Sequence, residues 1–479
     1  MYFFMLIAII VNICICYSLE NAAKLHFSFH STKYLGRNYT KFFCPFACVI
    51  GIFRNFVPDI HHRTKMRKTL LVSALCAAVL TAGAQRFEDY FENSTLRLDY
   101  VFAGNHDTQQ LYVDELIQMP GWYGKRQRLA ELPLRGNGEI TVRNRADGTV
   151  IYRHSFSSLF QEWLATAESY RAQKSFENVF LVPFPKQPVE ITVELRDYHD
   201  SVNATMTHTV DPKDILIRKA GEREVTPYVT LQQAQDTSRC IHVAYVAEGY
   251  QPDEMGIFLE DCKVAMEALF EHEPFRTLQD RFNMIAVLSP SQESGVSEPG
   301  KGIWKNTALG AHFDTFYSAR YLTTLHLKRL NDLLAGTPYE HIIVLVNGDR
   351  YGGGGIYNSY TLTDAHGPSF RPVVVHEFGH SFGGLGDEYP YGEDDPMYFA
   401  DTEPWEPNLT TKHDFRGKWE NLVAEGKAGL VEGGGYLMHG VWRGFENCRM
   451  RTNEEPEFCL VCRQALTRLI DFYTTDEAR

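Results

Sequence analysis

Beyond residue 84 the sequence has no apolar run long enough to span a bilayer, no internal repeat and no low-complexity tract. An excess of positive charge is also missing. Subtracting the 9 basic and 2 acidic residues of positions 1–84 from the chain totals of 47 and 60 leaves 38 basic and 58 acidic residues. The resulting net charge of −20 argues against a nucleic-acid-binding protein or one that binds anionic lipid.

The N-terminal region contains a segment typical of export. MRKTLLVSALCAAVLTAGA, residues 66–84, starts with a basic pair, continues with an apolar run and ends in small residues. This order predicts a secretory signal peptide cleaved after Ala84, and therefore a periplasmic or extracellular protein. Because a signal peptide acts from the start of a chain, residues 1–65 are interpreted as a mis-called extension. A membrane anchor at residues 1–17 is the alternative interpretation.

Cysteine is scarce in the remaining chain. Five of the ten cysteines lie beyond residue 84, and the odd number leaves at least one thiol unpaired or bonded between chains. Cys448, Cys459 and Cys462 lie close together in sequence but lack a nearby histidine, so they are an incomplete ligand set for a second zinc. For an exported protein a disulfide is predicted instead, from Cys448 to either Cys459 or Cys462.

Two regions with different apolar patterns follow the signal peptide. Between residues 85 and 215, several segments alternate apolar and polar residues, and SSLFQEWLATAESYRA has the apolar spacing of a helix. This region is predicted to be an N-terminal β-sandwich with one helical insertion. From 216 to 479, buried-strand patterns such as CIHVAYVAEGY alternate with helical ones such as DEMGIFLEDCKVAMEALFEH. The second region is predicted to be an α/β domain, so the fold class is multidomain α+β.

The segment HEFGHSFGGLGDEY, residues 376–389, has the strongest chemical signature. A helix over this segment places His376 and His380 one turn apart on the same face, so both imidazoles can reach one cation. Two imidazoles and an oxygen ligand suit Zn²⁺, with a fourth position left for water. Glu377, beside the first histidine, is predicted to accept a proton from that water.

A third ligand is expected from the acidic pair after the glycine-rich bend. In the metzincin pattern H-E-x-x-H-x-x-G-x-x-H, Gly383 matches the glycine, but Gly386 stands where the last histidine would be. An extra residue in such a loop is easily absorbed. Asp387 is therefore the predicted third ligand, with Glu388 as second choice and Tyr389 further back.

HEFGHSFGGLGDEY and the later CRMRTNEEPEFCLVC together resemble the IgA peptidase family of bacterial zinc metallopeptidases. VAEGYQPDEMGIFLEDC, LSPSQESGVSEP and FSSLFQEW are similar to that family as well, so the likeness covers nearly all of 87–479. The resemblance implies a metzincin-like catalytic domain. It also implies His376, His380 and Asp387 as zinc ligands and Glu377 as the base.

Metzincins have a methionine turn beneath the metal. Two methionines compete for this position, Met438 in GGGYLMHG and Met450 in ENCRMRTN, and the resemblance favours Met450. Side chains that could hold substrate, or stabilise the charge on the attacked carbonyl, are Tyr389, Tyr436, His439 and Arg451.

Two further segments have open interpretations. GGGGIYNSYTLTD, residues 352–364, is either an edge strand that pairs with the substrate backbone or a plain glycine loop. The acidic run GEDDP, residues 392–396, lacks the spaced ligands of a calcium site, so calcium binding is unsupported.

These features predict a secreted zinc endopeptidase that hydrolyses peptide bonds of proteins, immunoglobulin-like or other extracellular ones, by metal-activated water. One alternative is a non-enzymatic surface module that binds protein or glycan and uses zinc only to brace its fold. Another is a zinc amidase that acts on cell-wall peptide. The intact Glu377 favours hydrolysis, because a structural zinc site needs no base and is usually closed by four protein ligands.

Overall fold

The computed structural model describes residues 85–392 and 397–475. The predicted extension at 1–65 and the predicted signal peptide at 66–84 lie outside the described residues. Four of the five residues of the acidic run, 393–396, lie outside them as well. Within the described ranges no helix is both long enough and apolar enough to cross a membrane.

The first part of the described chain is rich in strands. Its elements are α1 (Phe87–Tyr90), β1 (Phe91–Gly104), β2 (Gln109–Pro120), β3 (Gly138–Asn144), β4 (Val150–Phe156), α2 (Leu159–Leu164), β5 (Lys174–Pro185), β6 (Val189–Arg196), β7 (Val202–Val210) and β8 (Arg218–Lys219). The strands form two sheets with the orders β5-β1-β2-β8 and β4-β3-β6-β7. All pairs are antiparallel except β2 with β8.

Aromatic side chains join these two sheets. The Phe156 ring of one sheet lies 4.2 Å from the Phe180 ring and 6.1 Å from the Phe102 ring of the other. Along β6 every second residue is buried, which is the period that a strand with one face toward a core requires. The packing of the two sheets is therefore that of a β-sandwich, with α2 as its helical insertion.

The second part mixes helices and strands. Its elements are β9 (Tyr228–Gln232), β10 (Ile241–Glu248), α3 (Met255–Phe270), β11 (Phe282–Val287), α4 (Leu327–Leu334), β12 (His341–Val346), β13 (Gly353–Ile356), β14 (Tyr360–Asp364), α5 (Phe370–Ser381), β15 (Pro390–Gly392), α6 (Glu420–Ala424), β16 (Val431–Gly434), β17 (Tyr436–Arg443) and α7 (Leu460–Thr474). Six strands form a sheet with the order β13-β14-β12-β10-β11-β9. Its four inner strands are parallel and its two edge strands are antiparallel. A small sheet has the order β15-β17-β16.

The six-stranded sheet is covered on both faces, which explains its unbroken apolar strands. Every residue of β10 is buried. Ala244 and Val246 join the core that also contains the sandwich interior, whereas Val243 and Tyr245 join the core beneath α3, α5 and α7. The described residues fall in one compact unit, because the sandwich and the six-stranded sheet share a core. The mixed α and β architecture agrees with the predicted fold class.

Candidate active site

Helix α5 positions the two histidines. Its buried side carries valines and Phe378, so the helix is anchored against the core. His376 and His380 extend from the opposite side, and their Nε2 atoms lie 3.0 Å apart. Gly384, with a φ of +59°, reverses the chain after the helix, and the Leu385 N–H donates to the Gly379 carbonyl over 3.1 Å. The reversed chain brings the acidic pair back toward the histidines.

Asp387 completes a group of three possible ligands. Its Oδ1 atom lies 3.1 Å from His376 Nε2 and 3.2 Å from His380 Nε2. Around a tetrahedral zinc with bonds of about 2.0–2.1 Å, neighbouring ligand atoms are about 3.3 Å apart. The two distances from Asp387 and the distance between the two Nε2 atoms are close to this value. Asp387 Oδ1 is buried, and both imidazole nitrogens are in contact with it. A carboxylate oxygen in this position fits a cation ligand.

Backbone carbonyls orient both imidazoles. His376 Nδ1 lies 3.1 Å from the Arg449 carbonyl, and His380 Nδ1 lies 2.5 Å from the Leu385 carbonyl. Because a carbonyl oxygen only accepts, each Nδ1 carries a hydrogen, and Nε2 is the ring nitrogen that can coordinate a cation. The Tyr436 hydroxyl donates to Asp387 Oδ2, which leaves Oδ1 facing the histidines.

The charges of these groups are strongly coupled. Burial raises the pKa of the Asp387 carboxyl, but the two imidazoles outweigh this effect and hold the pKa well below its usual range. Burial lowers the pKa of His380, but Asp387 and Glu377 outweigh it and raise the pKa to about 9. Asp387 is therefore ionised at neutral pH, as a metal ligand must be, and a bound cation would replace the proton on His380 Nε2.

Glu377 lies close to both histidines, and one of its carboxylate oxygens is within 4.8 Å of a ring nitrogen of each. Burial raises the pKa of its carboxyl, while the neighbouring imidazoles of His376 and His380 lower it. A carboxyl with a raised pKa is suited to accept a proton and then release it. A Cβ atom on Gly353 would lie 2.9 Å from Glu377 Oε1, so the absence of a side chain at Gly353 leaves room for the carboxyl.

Met450, and not Met438, lies beneath the histidines. Its side chain is buried, and its sulfur lies 2.8 Å from the position that a Cβ on Gly379 would take. Gly379 stands between the two histidines on α5. The Met450 carbonyl accepts from the Glu388 N–H over 2.9 Å. Met438 is 45% exposed on β17.

Three of the four predicted substrate or oxyanion side chains line one cleft with the ligand group. This cleft, of about 850 Å³, is lined by Tyr389, Tyr436 and Arg451. His439 is not in its lining, and the structure does not support that part of the prediction. Its imidazole is largely exposed and lies 3.6 Å from Glu432. His439 is three positions from Tyr436, and positions an odd number apart on a strand face opposite sides.

The β-sandwich also contributes to the cleft, which the sequence interpretation missed. Glu162 on α2 lines it and accepts a hydrogen bond from the Tyr321 hydroxyl. Burial raises the pKa of Glu162 to about 7, against the lowering effect of that hydrogen bond. FSSLFQEW, which contains Glu162, was a signal of family likeness but not of chemistry, because nothing in its pattern indicates proximity to α5.

Strand β13 is an edge strand next to α5, so Gly353–Ile356 is not a plain glycine loop, and its pairing with a substrate backbone stays a prediction. Part of this edge is already covered. Gly353 donates to the Arg320 carbonyl and accepts from the Leu322 N–H, each over 3.3 Å. Outward-facing backbone groups recur at every second residue of an edge strand. The N–H and carbonyl of Gly355 therefore point to the same side of β13 as those of Gly353. Gly355 is thus the position where an extended peptide could pair.

The predicted disulfide is wrong for this structure. Cys448, Cys459 and Cys462 are free thiols, and Cys462 Sγ lies 3.6 Å from each of the other two sulfurs. A disulfide requires about 2.05 Å. Glu388, the second choice for the zinc ligand, faces these thiols instead, because its Oε1 lies 3.2 Å from Cys462 Sγ.

Comparison with known proteins places this geometry in a family. A half-buried pair of histidines on a helix, with a carboxylate from the loop that follows, is the kind of site that metal-dependent hydrolases use. The profile of the family described as IgA Peptidase M64 matches residues 229–429, and the profile described as Peptidase M64 N-terminus matches residues 86–207. The chain belongs to the IgA peptidase M64 family and is a metallopeptidase. A search of curated proteins found no match.

Proposed function

We propose that this protein is a secreted, zinc-dependent endopeptidase with a metzincin-like catalytic domain. The observation that carries the proposal is the convergence of His376 Nε2, His380 Nε2 and Asp387 Oδ1 at mutual distances of 3.0, 3.1 and 3.2 Å. Two imidazoles and one carboxylate are three protein ligands, and catalytic zinc sites use three. A site that only braces the fold would be closed by a fourth.

The residues around the ligand group suit peptide hydrolysis. Bound to these ligands, zinc would supply a Lewis acid that lowers the pKa of water and polarises the attacked carbonyl. Glu377 would accept the proton of the attacking water and deliver it to the departing amine, a role that its raised pKa supports. Tyr389, whose ring lies 6.4 Å from the His376 ring, and Arg451 would contact substrate, a role supported by their position in the lining of the cleft.

The edge strand beside the helix supports an extended peptide as the substrate. Gly355 approaches α5 so closely that a Cβ atom there would lie 2.3 Å from the Glu377 carbonyl oxygen. A peptide paired with the outward-facing groups of Gly355 would run next to the Glu377 carboxyl and the ligand group. The position of Met450 beneath Gly379 supports the metzincin-like architecture.

Digestion assays test this function. Casein, immunoglobulin and cell-wall peptide are incubated with the zinc-loaded protein, with Glu377→Gln and with Glu425→Gln, an exposed control. Cleavage of protein by the wild type and the control, its loss with a chelator and its loss in Glu377→Gln are expected. Cleavage retained in Glu377→Gln would refute the mechanism. Cleavage of the cell-wall peptide alone would favour the amidase, and no cleavage would favour a binding module.

Secretion is part of the same proposal and rests on the signal-peptide pattern of residues 66–84. N-terminal sequencing of the protein from its native source tests it. A mature chain that begins at Gln85 and is recovered outside the cytoplasm is the expected result. A chain that retains residues 66–84 would rule out cleavage at this site.

A further inference from the structure

A second group of metal-binding side chains lies on the other side of the loop that carries Asp387. It comprises Glu388, Cys448, Cys459 and Cys462, and all four side chains are buried. One possible ligand atom from each lies within 4.8 Å of all the others. None of the four belongs to the histidine group of α5, so the two sets are chemically separate.

The separations within this cluster match a metal site better than a disulfide. The three sulfurs include two pairs at 3.6 Å, and the Glu388 oxygen lies 3.2 Å from Cys462 Sγ. Around a tetrahedral zinc with Zn–S bonds of about 2.3 Å, neighbouring sulfurs would be about 3.8 Å apart. A covalent pair would be at about 2.05 Å. The sulfurs are thus already near the spacing of shared ligands.

Glu388 points independently to a ligand. It is fully buried, and its Oε2 atom has no hydrogen-bond partner within the described residues. Its Oε1 accepts from Asn408 Nδ2 over 2.9 Å. An ionised Glu388, with one oxygen unpaired, would be costly to bury next to three thiols unless a positive charge compensates. The nearby guanidinium of Arg443, also buried, supplies part of that charge.

Backbone groups in the cluster also favour thiolates. The Cys459 N–H donates to Cys448 Sγ over 3.2 Å. Cys459 is the N-cap of α7, a helix of 15 residues, and Cys462 lies in its first turn. The positive end of the helix dipole therefore lies next to Cys459, where it favours the ionised form of this thiol.

We propose that Cys448, Cys459, Cys462 and Glu388 bind a second metal ion, Zn²⁺ by the chemistry of the donor set, in a closed structural site. Three thiolates and a carboxylate fill a tetrahedral zinc and leave no position for water. The thiols release their protons when the ion binds. This inference does not depend on the proposed peptidase activity.

The second ion would position the first. Glu388 follows Asp387 directly, and its N–H donates to the Met450 carbonyl. The Arg449 carbonyl, one residue after Cys448, accepts from His376. An ion held by Cys448 and Glu388 would therefore fix both the loop of the third ligand and the turn that orients a histidine. Its role is positioning, since none of its ligands faces the cleft.

Zinc content of the full chain, measured by mass spectrometry after dialysis against metal-free buffer, tests the proposal. Two zinc ions per chain are expected in the wild type and in Cys240→Ser, a control cysteine outside the cluster. One is expected in the double variant His376→Ala/His380→Ala and one in Cys459→Ser/Cys462→Ser. Cobalt bound to the histidine double variant should show thiolate-to-metal charge-transfer absorption in the near ultraviolet.

The cobalt spectrum decides the matter even if the cysteine variant fails to fold. A histidine double variant that folds but binds no metal would overturn the proposal, as would alkylation in denaturant that reveals a disulfide among the three cysteines. Two zinc ions without peptidase activity would leave the second site intact and refute only the proposed function. Peptidase activity in a wild-type chain that binds only one zinc ion would support the proposed function and refute the second site.

Discussion

Asp387 and Glu388 are consecutive residues whose carboxylates face opposite sides of one loop. Asp387 Oδ1 lies 3.1 Å from His376 Nε2, whereas Glu388 Oε1 lies 3.2 Å from Cys462 Sγ. Successive side chains of an extended segment point in opposite directions, so one dipeptide can serve two sites. The two carboxylates therefore belong to different clusters, and substituting each of them should have a different effect on zinc binding at the histidine site.

The first prediction compares Asp387→Asn with Glu388→Gln. Asp387→Asn alters a predicted zinc ligand itself and should weaken zinc binding at the histidine site by more than about 100-fold. Removing only a residue that hydrogen-bonds to a metal ligand already lowers metal affinity by about 10–100-fold. Glu388→Gln should leave that affinity within about 10-fold, because it touches the histidine site only through the backbone. Competition with a chromogenic chelator measures both values. Equal losses in the two variants would contradict the separate roles.

The second prediction concerns Tyr436, whose hydroxyl donates to Asp387 Oδ2. Tyr436→Phe removes this bond and should lower zinc affinity or activity by about 10–100-fold. Tyr391→Phe is the matched control, because its ring lies 6.2 Å from that of Tyr436 while its hydroxyl accepts from Arg320. Zinc affinity and kcat are measured for both. Wild-type values in Tyr436→Phe would show that the bond does not orient the ligand.

The third prediction concerns the close approach of β13 to α5. A Cβ atom on Gly355 would lie 2.3 Å from the Glu377 carbonyl oxygen and 2.9 Å from His380 Cβ. Gly355→Ala should therefore lower the free energy of unfolding by about 1–3 kcal/mol and reduce activity, because the helix must move. Urea denaturation measures the first effect and peptide cleavage the second.

Gly256→Ala is the control for that experiment. Gly256 lies in α3, and a Cβ atom there would meet nothing within 4 Å. Alanine is favoured over glycine in a helix by up to about 1 kcal/mol, so this variant should be at least as stable as the wild type. If Gly355→Ala matches it in stability and activity, the packing of β13 against α5 is looser than the structure indicates.

The fourth prediction is a pH dependence of stability caused by His341. Burial, together with His154 and His242, lowers the pKa of this imidazole to about 3. In the unfolded chain the pKa is about 6.5, so between these values the unfolded state binds a proton that the folded state excludes. Stability should therefore fall as the pH drops below 6.5. The contribution of His341 between pH 7 and pH 5 is about 2 kcal/mol.

Urea denaturation of His341→Asn at both pH values measures this contribution. The variant should lose about 2 kcal/mol less than the wild type on acidification. His413→Asn, at an exposed position, should lose as much as the wild type. An unchanged loss in His341→Asn would mean that His341 becomes protonated without unfolding.

Features that depend on residues close together in the sequence could be predicted from the sequence alone. VEITVELR, residues 189–196, is one of the alternating segments of the first region, and it forms β6, since a period of two depends only on neighbouring residues. The four-residue spacing of His376 and His380 placed both imidazoles on one side of a helix turn, and the structure places their Nε2 atoms 3.0 Å apart. Both conclusions follow from the geometry of a single element.

Contacts between segments that are far apart in the sequence could not be predicted from the sequence. Nothing around Glu162 indicates that it lines the cleft, because α2 and α5 are far apart along the chain and both contribute side chains to the cleft only in the folded protein. The disulfide was predicted from export and cysteine spacing, neither of which contains the distance between sulfurs. Those sulfurs lie 3.6 Å apart beside Glu388, a residue from another segment.

By itself the sequence determined the helix that carries the two histidines, the alternation of strands and helices, and the family. Each of these is encoded in residues that are neighbours along the chain or match a known pattern at fixed spacing. The sequence already favoured Asp387 as the third ligand and Met450 as the turn methionine. Only the tertiary structure decided that Glu388 faces the cysteines and that the sandwich lines the cleft. These depend on loop direction and on the packing of separate elements, where a change of one residue in register reverses which way a side chain points.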